Sequence, residues 1–213
     1  MIWLSILIIG FFTGLKTTSI GGVVFSVTIL AYPFTYLFDD IFTEVYGFRV
    51  SRKIIWTGFA CALIASAIAY IYSSIPSNST FTDNAAFDLI FKASPISVLI
   101  GIISFSTGEF INSFVVAKLK LITNGSKKWL RFISSTFFGQ IFDNGIYVVG
   151  NFLLLGWYTL ADIPSLIIST VVFCTIWEII ALPFTYKVIA WLKKEEGIDT
   201  YDNGTNFSPV SFE

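Results

Sequence analysis

The sequence predicts an all-α polytopic membrane protein with six transmembrane helices. Hydrophobic residues make up 55% of the 213-residue chain and charged residues only 13%, whereas a soluble domain carries about 25% charged residues. Six apolar segments alternate with short polar stretches, and most approach the roughly 20 residues that a helix needs to cross the hydrocarbon core. These segments are residues 2–15, 23–42, 54–72, 95–117, 129–157 and 164–191.

Basic residues mark one side of the predicted bundle. Eleven of the 13 Lys and Arg residues lie in the second-to-third loop, the fourth-to-fifth loop or the C-terminal end, and the exceptions are Lys16 and Lys92. Loops rich in Lys and Arg stay in the cytoplasm, so both termini are predicted to be cytoplasmic. Residues 1–192 form the predicted membrane domain, and residues 193–213 form a polar cytoplasmic tail that is predicted to be disordered.

Composition also excludes several classes of function. A net charge of −1 argues against a nucleic-acid surface. The chain has no histidine, which excludes a histidine metal site or a histidine proton relay. It also shows no nucleophile motif, metal-ligand cluster or glycine-rich phosphate loop. We therefore expect neither an enzyme nor a bound metal or cofactor.

Three acidic residues, Glu109, Asp143 and Glu178, fall near the middle of predicted spans. A charge at the bilayer centre costs about 2.5–3.5 kcal/mol on insertion scales, so such residues usually have a function. Each carboxyl alone could simply be protonated or hydrogen-bonded between helices. The three together favour one shared polar site.

Polar residues continue along the same helix faces at steps of three and four. Carboxylates and amides without a nearby cation favour a donor-rich or cationic solute, such as a planar base edge that a carboxylate can bind at two points. The fourth span carries Ser106, Glu109, Asn112 and Ser113; the fifth carries Thr136, Gln140, Asp143, Asn144, Tyr147 and Asn151; the sixth carries Cys174 and Glu178. The predicted substrate-binding residues are Glu109, Asn112, Gln140, Asp143, Asn144 and Glu178.

A second acidic group ends the second predicted span. The stretch YPFTYLFDDIFTEVYGFRVSRK, residues 32–53, places Asp39, Asp40 and Glu44 shortly before three cations. One interpretation is an interfacial ion cluster with those cations, Arg49, Arg52 and Lys53. The other is an inner gate or a cation-coupling site. Both interpretations remain open on the sequence alone.

Four motifs in this order resemble the queuosine precursor transporter family, also called the vitamin uptake transporter family. The first is YPFTYLFDDIFTEVYG, and GEFINSFVVAKLK, WLRFISSTFFGQIFDNGIYV and WEIIALPFTYKVIAWLKKEEG follow it. The resemblance covers residues 16–196. It implies a six-helix bundle similar to the substrate-binding subunits of energy-coupling-factor transporters.

The resemblance also implies a function, the import of the 7-deazaguanine precursors preQ0 or preQ1 across a bacterial cytoplasmic membrane for tRNA modification. The alternative is a substrate-binding subunit that needs an ATPase module. Membrane lipid is an expected partner. The small-residue pattern GFFTG, residues 10–14, could pack a helix or a homodimer.

The predicted topology can be tested by cysteine accessibility. With Cys61 and Cys174 replaced by serine, Ser77→Cys should react with an impermeant thiol reagent from outside the cell, because it lies in the long third-to-fourth loop. Ser126→Cys should react only after the membrane is opened, because Lys127 and Lys128 hold its loop inside. Labelling of both positions from the same side would contradict the topology.

Overall fold

Helices dominate the computed structural model, which describes residues 1–14, 16–20, 23–92 and 95–211. Residue 15, the last of the first predicted span, lies outside this part. A short antiparallel hairpin and one 3-10 turn, Val27–Leu30, stand between the first two helices. The elements are α1 (Ile2–Thr13), β1 (Thr17–Ile20), β2 (Val23–Ser26), α2 (Tyr32–Tyr46), α3 (Phe48–Ser73), α4 (Asn84–Phe91), α5 (Pro95–Ile122), α6 (Lys128–Leu155) and α7 (Asp162–Glu196).

The bundle exposes apolar side chains and buries polar ones. Ile64 and Ile180 are 58% and 67% exposed, whereas Glu109 and Arg131 are completely buried. This distribution is the reverse of the one in a soluble domain, and it suits a surface in contact with lipid. Three stretches are long and apolar enough to cross a membrane: Phe48–Ser73, Asp162–Glu196 and Asn84–Ile122, of which residues 84–92 and 95–122 are described. The predicted class, an all-helical polytopic membrane protein, is confirmed.

The second predicted span, residues 23–42, is wrong. Its first residues form strand β2 and the 3-10 turn, and the helix begins only at Tyr32. Pro33 occupies the first turn of α2, where its missing N–H and fixed φ are tolerated, but it would break a longer helix that passed through it. The 15 residues of α2 span roughly 22 Å, which is less than the roughly 30 Å hydrocarbon thickness.

A single glycine replaces the predicted loop between the second and third spans. Gly47 joins α2 directly to α3 with a φ of +84°, a conformation that only glycine adopts without strain. A Cβ at this position would also lie 2.7 Å from Cγ2 of Thr200. The segment expected to be a polar loop therefore forms the first two turns of α3, which carry Arg49, Arg52 and Lys53.

The cation-rich ends of the helices meet at one end of the bundle, here called the basic end. Helices α2, α5 and α7 finish there and α3 and α6 begin there, since Glu44 of α2 pairs with Arg131 of α6 and Lys193 of α7. Clustering of the basic segments on one side, which the charge distribution predicts, agrees with this geometry. Its cytoplasmic orientation stays a prediction.

The C-terminal tail, residues 198–211, packs across the basic end, whereas the sequence predicts disorder for it. Both carboxylate oxygens of Asp202 accept from the backbone N–H of Phe48, at 3.0 and 3.2 Å, and so cap the start of α3. The guanidinium of Arg52 donates to the carbonyl of Asn206 at 2.8 Å. The ring of Phe207 lies 5.1 Å from that of Phe48. These contacts hold a segment whose polar composition alone gives no sign of them.

Helices α5 and α6 approach closely at two glycines, Gly108 and Gly139. A Cβ on Gly108 would lie 2.7 Å from Cβ of Asp143 and 3.0 Å from the carbonyl oxygen of Gly139. A Cβ on Gly139 would lie 2.8 Å from the Tyr36 ring and 2.9 Å from the Gly108 carbonyl oxygen. The crossing brings the polar faces of the two helices together.

The GFFTG pattern on α1 packs within the chain. A Cβ on Gly10 would overlap the ring of Tyr32. Close approach of the Tyr32 ring therefore explains the glycine at this position. This contact agrees with helix packing, one of the two roles predicted for the pattern, and the homodimer stays a prediction.

The glycine crossing generates a prediction about stability. Gly108→Ala and Gly139→Ala should each lower the free energy of unfolding by about 1–3 kcal/mol, because the added methyl group forces two packed helices apart. Gly145→Ala is the matched control on α6, since a Cβ there meets nothing within 4 Å. It should be neutral or stabilising by about 0.5–1 kcal/mol. Thermal unfolding in detergent measures all three, and equal effects would contradict the crossing.

Candidate functional site

The centre of the bundle contains two adjacent aspartates joined by one amide. Asp39 and Asp40 of α2 are at most 1% exposed. The side-chain amide of Asn112 on α5 donates to Asp40 at 2.7 Å and to Asp39 at 3.1 Å. Neighbouring residues on a helix point about 100° apart, so both can be buried only where other helices cover α2 on more than one side.

Two serines on different helices complete this arrangement. The Ser113 hydroxyl on α5 donates to Asp39 at 2.6 Å, and the Ser135 hydroxyl on α6 donates to Asp40 at 3.1 Å. Both contacts reach the same oxygens that Asn112 contacts. The donors that surround the two carboxyls are therefore neutral.

The three acids predicted near the centres of their spans lie beside this pair. Glu109 on α5 is within electrostatic reach of Asp39, Asp40 and Asp143, and Glu178 on α7 is within reach of Asp40. Here we call the five residues the central acidic cluster: Asp39, Asp40, Glu109, Asp143 and Glu178. Helix α2 is therefore a fourth contributor beside α5, α6 and α7, and the prediction that these acids form one binding site stays a prediction.

Several oxygen atoms of the cluster have no hydrogen-bond donor among the described residues. They are Asp39 Oδ1, Asp40 Oδ2, both carboxyl oxygens of Glu109 and Glu178 Oε1, and the amide oxygen of Asn112 belongs with them. A buried polar atom without a partner costs about 1–3 kcal/mol. Such a group of acceptors can receive hydrogen bonds from a donor-rich ligand or can bind protons.

Asp143 differs from the other acids of the cluster because it accepts a hydrogen bond from a tyrosine hydroxyl. The Tyr36 hydroxyl of α2 donates to Asp143 Oδ2 at 3.1 Å. The Tyr36 ring also lies against Gly139. The same side chain therefore connects the cluster to the crossing of α5 and α6.

Two predicted site residues bond to each other on their own helix. The amide of Asn144 donates to the carbonyl of Gln140 at 3.0 Å and to its side-chain oxygen at 2.8 Å. Gln140 is buried and Asn144 is half-buried. None of the hydrogen bonds that Gln140 and Asn144 make within the described residues reaches the central acidic cluster.

Glu44 lies outside the central cluster, in a buried ion network at the basic end. The guanidinium of Arg131 donates to both Glu44 oxygens at 2.9 Å, and Lys193 donates at 2.6 Å. Lys120 donates to the Glu44 backbone carbonyl and to the carboxylate of Asp199, both at 2.6 Å. The expected ion cluster therefore forms, but its cations come from α5, α6 and α7 and not from Arg49, Arg52 and Lys53 as predicted.

Asp199 of the tail joins this network through Lys120 and Lys193. Partial burial raises the pKa of Asp199, but hydrogen bonds from the two ammonium groups outweigh burial and hold the pKa below its usual value. Its carboxylate therefore stays ionised, and ties the tail to the basic end, down to a pH below the ordinary range of aspartate titration.

The two interpretations of the acidic segment thus apply to different residues. Glu44 belongs to an ion cluster, while no ion pair in the described part of the chain involves Asp39 or Asp40. Sequence reasoning missed Ser135 and the role of Tyr36 as the donor to Asp143. One face of α2 carries Tyr36, Asp40 and Glu44, which lie four residues apart. This spacing was the sequence signal that could have indicated a role for Tyr36.

A helical bundle with an apolar surface and a buried, acceptor-rich interior is the architecture of a polytopic membrane protein. A profile of the family described as "Putative vitamin uptake transporter" matches residues 26–188. The chain belongs to this family, as its motifs indicate, and the class is non-enzymatic.

A curated relative agrees with this membership. The "Probable queuosine precursor transporter" of Bacillus subtilis (strain 168) is 24% identical over 182 residues, which cover 85% of this chain and 79% of the relative. No solved structure matches the chain.

The ion network predicts a large loss of stability when its centre is removed. Glu44→Gln should lower the free energy of unfolding by about 3–5 kcal/mol, because it leaves the fully buried Arg131 without its anion. Glu195→Gln, an exposed acid on the same helix as Lys193, is the control and should change it by less than about 0.5 kcal/mol. Thermal unfolding and membrane abundance measure the difference. Equal stability of the two variants would mean that the network is not stabilising.

Proposed function

We propose that this protein imports a queuosine precursor, a 7-deazaguanine such as preQ0 or preQ1, across a bacterial cytoplasmic membrane. The similarity to a relative named as a probable queuosine precursor transporter supports the compound class. The observation that carries the proposal is the buried group of acceptor atoms in the central acidic cluster that lack donors among the described residues.

The chemistry of a guanine-like edge suits these acceptors. That edge presents a ring N–H beside an exocyclic amine, and one carboxylate can accept both hydrogen bonds. Glu109 is the strongest candidate, because it is completely buried and neither of its oxygens has a hydrogen-bond donor among the described residues. Asp143 is the second, although one of its oxygens already accepts from Tyr36.

The remaining predicted residues take supporting roles in this proposal. Asn112 and Glu178 each offer one buried oxygen without a donor, Asn112 Oδ1 and Glu178 Oε1. Gln140 and Asn144 would form the part of the pocket on α6 nearest to Asp143. Trp177 precedes Glu178, and its indole N–H has no acceptor in the described residues, so its ring is a candidate for stacking on the base.

A solute reaches this site only if helices separate. The central residues that would bind it are closed to solvent, since Glu109 and Asn112 are 0% exposed. The ion network around Glu44 links α2, α5, α6 and α7 at the basic end. We infer that this network is the inner gate and that it holds the basic end closed in this conformation.

Uptake of labelled preQ0 and preQ1 into cells that can make neither compound tests the function. Cells expressing the wild-type protein should accumulate label in tRNA, and Glu109→Gln cells should not. Asp83→Asn, an exposed acid in the segment before α4, is the matched control and should import normally. Copurification with an ATPase module, and uptake that depends on it, would favour the alternative of a substrate-binding subunit. Accumulation equal to that of cells without the protein would reject the import of these compounds.

A binding measurement should identify the carboxylate that contacts the exocyclic amine of the base. Glu109→Gln should weaken preQ0 binding by roughly tenfold to one-hundredfold, because a bidentate base-edge contact provides about 1–3 kcal/mol of discrimination. A deazapurine that lacks the exocyclic amine should bind the wild type more weakly and lose less on mutation. Asp143→Asn is measured in parallel.

Calorimetry in detergent gives two affinities, one for each ligand, for the wild type and for each variant. If Glu109→Gln binds both ligands as the wild type does while Asp143→Asn discriminates less, the base edge lies on Asp143. If neither variant changes binding, both carboxyls are structural and the proposed site is wrong.

A further inference from the structure

We propose that the central acidic cluster binds protons and that transport is coupled to protons taken up at the Asp39–Asp40 pair. The proton-binding part stands on the structure of the cluster alone. The coupling part rests on the proposed import of a deazapurine.

Charge balance is the first argument. Five carboxyl groups share one buried region, and ion pairs among the described residues involve only two other acids, Glu44 and Asp199. The cations Lys120, Arg131 and Lys193 are all used in those pairs. An uncompensated charge at membrane depth is costly, and like charges add repulsion. Bound protons remove both costs.

An uncharged side chain gives the second argument. Asn112 is fully buried and donates its amide to both aspartates, yet its own oxygen has no donor among the described residues. The oxygen and nitrogen of an amide occupy equivalent positions and are assigned from their neighbours. Half a turn of this amide would present its oxygen to a protonated carboxyl, so Asn112 can serve either protonation state of the pair.

In the described part of the chain, helices α2, α5, α6 and α7 present neutral or acidic groups to the central acidic cluster. Helix α5 provides Asn112, Ser113 and Glu109, and α6 provides Ser135, Thr136 and Asp143. The groups from α7 are Glu178 and Cys174, and α2 itself adds Tyr32, Tyr36 and Thr43. From α3, Ser51 bonds to Thr43, while Arg52 donates to carbonyls of the tail.

A proton fits this arrangement better than a metal ion. No group of three or more acidic, cysteine or histidine side chains in the described residues is placed to hold a metal. The contacts of the pair are instead hydrogen bonds of 2.6–3.1 Å to an amide and two hydroxyls. Hydroxyls and amides can each donate or accept, and they therefore accommodate both the carboxylate and the carboxylic acid.

Coupling follows if the neutral base and the proton enter together. A deazapurine such as preQ0 brings donors but no positive charge, so its binding leaves the charge of the cluster unchanged. A proton taken up from the side of higher proton activity neutralises one negative charge of the cluster. It then leaves with the base on the other side. Each cycle then moves one base together with at least one proton.

Infrared spectroscopy tests proton binding without any substrate. In detergent at neutral pH, the wild type should show a protonated carboxyl C=O band that disappears at high pH. Asp39→Asn or Asp40→Asn should remove part of it, and Asp83→Asn should not. Absence of the band in the wild type, or a band that neither variant at the pair alters, would overturn the proposal. If both variants misfold, as judged by size exclusion, the wild-type spectrum alone decides.

Proteoliposomes test the coupling with labelled preQ0. An inward proton gradient of about one pH unit should raise accumulation up to about tenfold per coupled proton, and Asp39→Asn should only equilibrate the label. Accumulation driven by a sodium gradient alone, or unaffected by any gradient, would overturn proton coupling. Absence of preQ0 entry under every condition would reject the proposed substrate and the coupling with it, while the infrared result would still decide the proton site.

Discussion

The close approach of α5 and α6 at Gly108 and Gly139 is the constraint on which the rest of the structure depends. Each glycine lacks the Cβ that would collide with the backbone of the other helix. Only at this separation can Tyr36 lie over the crossing and reach Asp143. The crossing thereby determines which acids face one another, and the chemistry of the bundle centre follows from a packing requirement.

The protein treats its buried charges in two different ways. At the basic end, Glu44 is surrounded by Arg131, Lys193 and Lys120, so that the desolvation cost of each ion is offset by a partner. At the centre, the described donors to Asp39 and Asp40 are all neutral groups. The paired region stabilises one closed conformation, and the unpaired region keeps the acceptors that a transported solute and its proton would use.

The tail connects these regions to the start of α3. Asp202 caps that helix, and Asp199 binds two cations of the network. Any separation of the helices at the basic end must therefore release or carry these tail contacts. The tail is thus part of the closed structure, and its position explains why a polar segment is ordered.

The sequence by itself determined the membrane class, the clustering of cations at one end and the polar faces of α5 and α6, because composition and helical periodicity are local properties. It also predicted one shared site for Glu109, Asp143 and Glu178, and that site stays a prediction. It could not determine that residues 23–31 lie outside α2 or that Glu44 pairs with Arg131 instead of the nearby Arg49. Nor could it determine that the Asn112 amide donates to both Asp39 and Asp40. Those outcomes depend on which helices become neighbours, and only tertiary packing decides between partners distant in the chain.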